Sequence, residues 1–208
     1  MPSLEHFALR YCSLQPNLKT PCNSLKTLKL SKVKGPPGSL ECILSACVSL
    51  CSLTIKMCEF PSKLCFRGPN LQLKCITIHD CDGLEEIEFY ASNLMTLEFY
   101  SINMVKFIFD YVPKLESIYL SAMVEEVMHF VCRRLGKDVP HLKTLVLDLI
   151  EDFFELPTPG GVSYGAAMRY SWTDEEKDVV RHSHLKKVEL SGFGGTENES
   201  GTQWIWWD

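Results

Sequence analysis

A nine-residue phrase, leucine-x-x-apolar-x-apolar-x-x-apolar, recurs along the chain. It reads Leu4/Phe7/Leu9/Cys12, Leu25/Leu28/Leu30/Val33, Leu50/Leu53/Ile55/Cys58 and Leu73/Ile76/Ile78/Cys81. It continues as Leu94/Leu97/Phe99/Ile102, Leu115/Ile118/Leu120/Met123, Leu142/Leu145/Leu147/Ile150 and Leu185/Val188/Leu190/Phe193. In the middle of each phrase the apolar positions alternate with period two, the signature of a strand with one buried face. The starts are 21, 25, 23, 21, 21, 27 and 43 residues apart.

All but the last of these spacings fall in the roughly 20–29 residues of a leucine-rich repeat. The expected fold is therefore an α/β solenoid, a horseshoe with a parallel inner sheet of about eight strands. At about 4.8 Å per strand, that ribbon is roughly 34 Å across. Its outer face is expected to mix short helices and strands. Ser39–Leu50 has a helical stripe of Leu40, Ile43, Leu44, Cys47 and Leu50. Ala122–Leu135 has another of Val124, Val127, Met128, Val131 and Leu135. Leu64–Phe66, Leu84–Phe89 and Val105–Phe109 instead alternate as short strands, which suits the shortest coils. The domain is assigned to residues 1–199, with a loop-rich insertion at 151–184 and a divergent tail at 200–208. Within the insertion, Pro157, Pro159 and three glycines mark a loop, and Thr173 and Glu176 have capping-box spacing for a short helix over Asp174–His182.

Ten cysteines among 208 residues could signal a disulfide framework. Cys12, Cys58 and Cys81, however, share a column with Val33, Ile102 and Ile150, so they read as buried small hydrophobes. No basic and apolar leader opens the sequence, and no run of 18 apolar residues occurs. The expectation is a cytoplasmic or nuclear protein in a reducing compartment. The net charge of −5, with both signs interspersed, argues against nucleic acid and membrane as partners.

Three segments resemble the leucine-rich-repeat region of plant F-box (FBD-like) proteins. They are SLKTLKLSKVK at Ser24–Lys34, LECILSACVSLCSLTIKMC at Leu40–Cys58 and GPNLQLKCITIHDCDGLEEIEFYASNLMTLEFYS at Gly68–Ser101. The ending HLKKVELSGFGGTENE, His184–Glu199, is similar to that family's final repeat. The resemblance implies selection of a protein for ubiquitination by an SCF ligase, whose Skp1-type adaptor docks on an F-box. No F-box segment stands in this sequence, which opens directly in a repeat. GTQWIWWD at Gly201–Asp208 replaces the expected last helix. Both ends thus read as cut rather than capped, as in a fragment, splice form or degenerate copy.

The chemical motifs reduce to scaffold. His79-Asp80-Cys81 holds residue types used in nucleophilic catalysis, but Cys81 belongs to the apolar column and nothing orients the histidine. Cys42, Cys47, Cys51, Cys58 and Cys65 lack the paired spacing of a zinc site, and His182-x-His184 reads as loop. Asp174-Glu175-Glu176 suits a helix start, Gly35-Pro-Pro-Gly38 is turn chemistry, and Asn198 lies in a chance sequon. No enzyme, cofactor or metal is expected. The concave face is left, where Lys56, His79, Glu98, Tyr100 and Tyr119 cluster as candidate protein-binding residues. The expected function is a protein-interaction module, the substrate-recognition repeats of an F-box-type protein. The alternative is a stand-alone repeat scaffold or regulator without a ligase.

Overall fold

The computed structural model describes residues 4–15, 22–68, 71–102, 104–123, 127, 130–150 and 184–191. Each repeated phrase forms one strand of an inner sheet. In chain order the inner strands are β1 (His6–Arg10), β2 (Thr27–Ser31), β3 (Ser52–Lys56) and β5 (Cys75–His79), then β7 (Thr96–Tyr100), β9 (Ser117–Met123), β10 (Thr144–Ile150) and β11 (Lys187–Ser191). They stack as one eight-stranded sheet in chain order, and every pairing is parallel. The chain belongs to the leucine-rich-repeat solenoid architecture that the period predicts.

The leucine phase explains the register. Leu53 and Ile55 of β3, and Ile76 and Ile78 of β5, are fully buried and pair directly across the strands. Just before each strand, one carbonyl accepts two N–H groups from the next coil. Lys26 and Thr27 donate to Glu5 O at 2.8 and 3.0 Å, and the same pair of bonds recurs down to Lys186 and Lys187 on Lys143 O. A one-residue slip would break this ladder and turn every leucine outward. At the other end of the first four inner strands the chain steps into the left-handed region, at Tyr11, Lys32, Met57 and Asp80 (φ 47° to 53°). The N–H of each then donates to the last strand residue of the next coil, as Met57 does to His79 O at 2.8 Å.

The outer face carries a second, three-stranded parallel sheet of β4 (Lys63–Arg67), β6 (Glu86–Tyr90) and β8 (Lys106–Tyr111). Phe66, Phe89 and Phe109 stand opposite one another in its inward row. Their rings stack at 5.4 and 5.3 Å, with interplanar angles of 9° and 11°. Helix α1 (Ser39–Ala46) lies beside β4 and begins after Gly38, whose φ of 83° favours glycine. On the far side Phe130 packs on Phe107 and Phe109, and a π-turn at Val131–Leu135 leads into the one-turn α2 (Gly136–Asp138).

The second predicted helix starts too early. Ala122 and Met123 extend β9, because β10 runs two residues further than most strands and offers Leu149 and Ile150 as partners. Backbone pairing there prevails over the helical reading of Ala122 and Met123, while Val127 and Phe130 are helical. The 151–183 part of the insertion, the Asp174–His182 helix and the 200–208 tail lie outside the described residues. β11, after that insertion, pairs with β10 and continues the inner sheet.

One core runs through the coils from Leu25 to Leu185. Its ends thin out: Phe7 of β1 is 42% exposed and Leu190 of β11 is 44% exposed, at positions that are sealed in the middle coils.

Candidate concave binding face

The parallel register turns the residues between the leucines into rows. One row runs Lys56, His79, Tyr100, Ser121 and Asp148; the row beside it runs Thr54, Thr77, Glu98, Tyr119 and Val146. All five residues singled out from the sequence, Lys56, His79, Glu98, Tyr100 and Tyr119, therefore fall in two adjacent rows on four consecutive strands. A third row, from His6 through Ser52, Cys75 and Thr96 to Lys187, borders them and escaped the sequence reading.

Neighbours within the rows hold one another in place. The His79 and Tyr100 rings lie 5.6 Å apart at 31°. Thr77 Oγ1 donates to Glu98 Oε2 at 3.0 Å. Ser121 Oγ and Ser191 Oγ donate to the two oxygens of Asp148 at 3.2 and 2.7 Å. Ser121, expected to face outward, is 7% exposed, because Tyr100 and Asp148 flank it in the row and its hydroxyl is turned onto the carboxylate. Burial, reinforced by the charges of Glu98, Tyr119 and Asp148, pushes the Tyr100 phenol up from its ordinary value. It stays protonated at physiological pH and can donate a hydrogen bond.

The His79-Asp80-Cys81 motif resolves into three separate jobs. His79 Nδ1 lies 2.8 Å from Asp80 Oδ2 without the alignment of a hydrogen bond. Asp80 occupies the left-handed step at the strand exit. Cys81 turns inward, with Sγ 3.9 Å from Ile55 O, and burial pushes its thiol up to about 11. A protonated thiol on the core side of the sheet cannot serve as a nucleophile for the histidine. Cys58 and Cys81 are free and buried beside Val33, as a hydrophobic column requires, but the column is not sealed throughout: Cys12 on the end coil is half-buried and Ile102 is exposed.

The face is about 34 Å by 17 Å on strand dimensions. It is open and polar, with a few aromatic rings near its centre, unlike the enclosed apolar cleft of a small-molecule site. Such a face is that of a solenoid interaction domain. The family model for the At1g61320/AtMIF1 leucine-rich-repeat domain matches residues 1–159, and the chain belongs to that plant leucine-rich-repeat family. No curated protein and no solved structure matches the chain. The family match supports a protein-interaction module in general and gives no support to an enzyme.

Proposed function

We propose that this chain binds a protein segment across its concave face and serves as the substrate-recognition repeats of an F-box-type ubiquitin ligase. The observation that carries the binding reading is the contiguous patch of Lys56, His79, Glu98, Tyr100 and Tyr119 on adjacent, rigidly registered strands. Tyrosines beside a few charges, held by neighbours before any partner arrives, lose little conformational entropy on binding. The ligase reading rests on the resemblance of Ser24–Lys34, Leu40–Cys58 and Gly68–Ser101 to F-box repeat regions. A Skp1-type adaptor would be contacted through an F-box, not through these repeats.

The test pairs affinity with turnover. A protein captured from plant extract should bind the chain, and Tyr100→Ala/Tyr119→Ala should weaken binding at least tenfold while leaving the circular dichroism spectrum unchanged. That protein should also be ubiquitinated and should persist when the proteasome is inhibited. Tight binding with an unaltered half-life would replace the ligase reading by the stand-alone scaffold. Binding indifferent to the double substitution would remove the concave face from the argument.

A further inference from the structure

In the two rows that carry the patch the charges are sorted by position along the solenoid, while Lys187 of the bordering row pairs with Glu189 at 2.7 Å. Arg10 on β1, Lys29 on β2 and Lys56 on β3 occupy three consecutive strands in the two outward rows. None of the three makes an ion pair among the described residues. Lysines just outside those rows do pair: Lys26 with Glu5 at 2.8 Å, Lys34 with Glu59 at 2.7 Å and Lys143 with Glu116 at 2.5 Å. Lys29 and Lys56 sit on neighbouring strands, about 8 Å apart at their Cα atoms, within the screening length of physiological salt. They repel one another, and no ion pair among the described residues neutralises either.

The other end is built in the opposite sense. Glu98 on β7 and Asp148 on β10 accept hydrogen bonds from the Thr77, Ser121 and Ser191 hydroxyls. Neutral donors fix the position of these carboxylates without cancelling their charge. Between the two poles lie the His79–Tyr100 ring pair and Tyr119. At the basic end, His6, Phe7, Ala8, Thr27 and Lys29 line a shallow, open hollow of about 330 Å³.

We propose that the concave face recognises an extended protein segment of matching polarity, with acidic residues over Arg10, Lys29 and Lys56 and basic residues over Glu98 and Asp148. The inference rests on the concave face being the binding surface, and it adds the chemistry of the partner. From Lys29 to Asp148 there are five strand spacings, about 24 Å, which an extended segment covers in roughly seven residues. The middle of that segment carries aromatic or apolar side chains that meet His79, Tyr100 and Tyr119. A uniformly acidic or uniformly basic partner would be attracted at one pole and repelled at the other, so polarity excludes it.

The experiment is selection of random dodecapeptides displayed on phage, with the full 208-residue chain as bait. It is repeated with Lys29→Glu/Lys56→Glu and with Glu98→Lys/Asp148→Lys, each checked by circular dichroism for an unchanged fold. The wild-type chain should select peptides with an acidic and a basic cluster about seven residues apart, and their affinity should fall as salt rises. Lys29→Glu/Lys56→Glu should weaken these peptides at least tenfold and instead select wholly basic ones. Peptides that lose affinity with Tyr119→Ala but carry no charge segregation, or that tolerate the charge reversals within twofold, would overturn the polarity and leave the binding face standing. Peptides indifferent to every concave substitution, or no selected peptide at all, would overturn the binding face and the polarity with it.

Discussion

Phe89 is the keystone of the outer sheet, and its removal is the sharpest test of how the coils are held together. The side chain is fully buried, between Phe66 at 5.4 Å and Phe109 at 5.3 Å, with Phe107 at 6.3 Å. Phe→Ala in a core costs about 3–5 kcal/mol, the larger values belonging to sites that cannot collapse. This site cannot, because β4 and β8 are both hydrogen-bonded to β6 and cannot close the gap across it. Three aromatic contacts are lost as well, each contributing about 0.5–1.5 kcal/mol beyond area, part of it already inside that range. We therefore expect Phe89→Ala to cost about 4–5 kcal/mol, against a typical domain stability of about 5–15 kcal/mol. Phe109→Ala, at a half-buried position in the same stack, should cost about half as much. Urea unfolding followed by far-ultraviolet circular dichroism reads both. A drop in slope for Phe89→Ala would mean that the outer coils come apart separately, as a solenoid of nearest-neighbour interfaces allows. A cost below about 2 kcal/mol, or one smaller than that of Phe109→Ala, would refute the assignment of this stack as structural core.

Two further outcomes follow from the same packing. Burial raises the thiols of Cys58 and Cys81, so iodoacetamide at pH 8 should label them in the native protein only as fast as the coils open, read by peptide mass spectrometry. Labelling at the rate of an unfolded control would show that these two positions are not sealed. On the outer face the Glu86 carboxylate lies 2.7 Å from both Lys63 Nζ and Lys106 Nζ, and hydrogen bonds from Lys106 and then Lys63 hold its pKa down at about 2. Because the folded value lies below the unfolded one, this contribution is complete above about pH 4.5 and drains away as pH falls toward 2. The urea midpoint should therefore decline from pH 5 to pH 2.5, and less steeply in Glu86→Gln; identical slopes would sink the argument.

Most of the architecture can be read from the chain because a parallel solenoid repeats a single local rule. The leucine phase places each inner strand, and short coils leave little room for a helix, as β4, β6 and β8 bear out in the coils of 23, 21 and 21 residues that start at Leu50, Leu73 and Leu94. The rows follow directly, so Lys56, His79 and Tyr100 could be aligned before any coordinates. What could not be read depends on neighbours. Whether Ala122 and Met123 continue a strand or start a helix turns on how far β10 extends, a fact 27 residues away. Nor does composition single out Tyr11, Lys32 or Met57 as left-handed positions, since none is the residue type that usually accepts that geometry. Arg10, Lys29 and Asp148 lie toward the ends of the same rows, away from the central cluster. Reading the rows for sign along the stack, rather than for density at the centre, is the signal that finds them.

The alternation of outer elements has a geometric consequence for the bound partner. A helix occupies about 10 Å and a strand about 4.8 Å of the convex side, while the concave side advances by one strand per coil throughout. By this geometry the ribbon should bend most where α1 backs the β2–β3 step and where the Phe130–Asp138 segment backs the β9–β10 step, and least across the strand-backed steps between them. His79, Tyr100 and Tyr119 lie on strands joined by strand-backed steps, whereas Arg10 and Lys29 lie beyond the helix-backed step and Asp148 beyond the Phe130–Asp138 step. On this geometry the two charged poles should tilt toward each other, so that a segment laid along the face as proposed would meet them as walls rather than as a continuation of its floor.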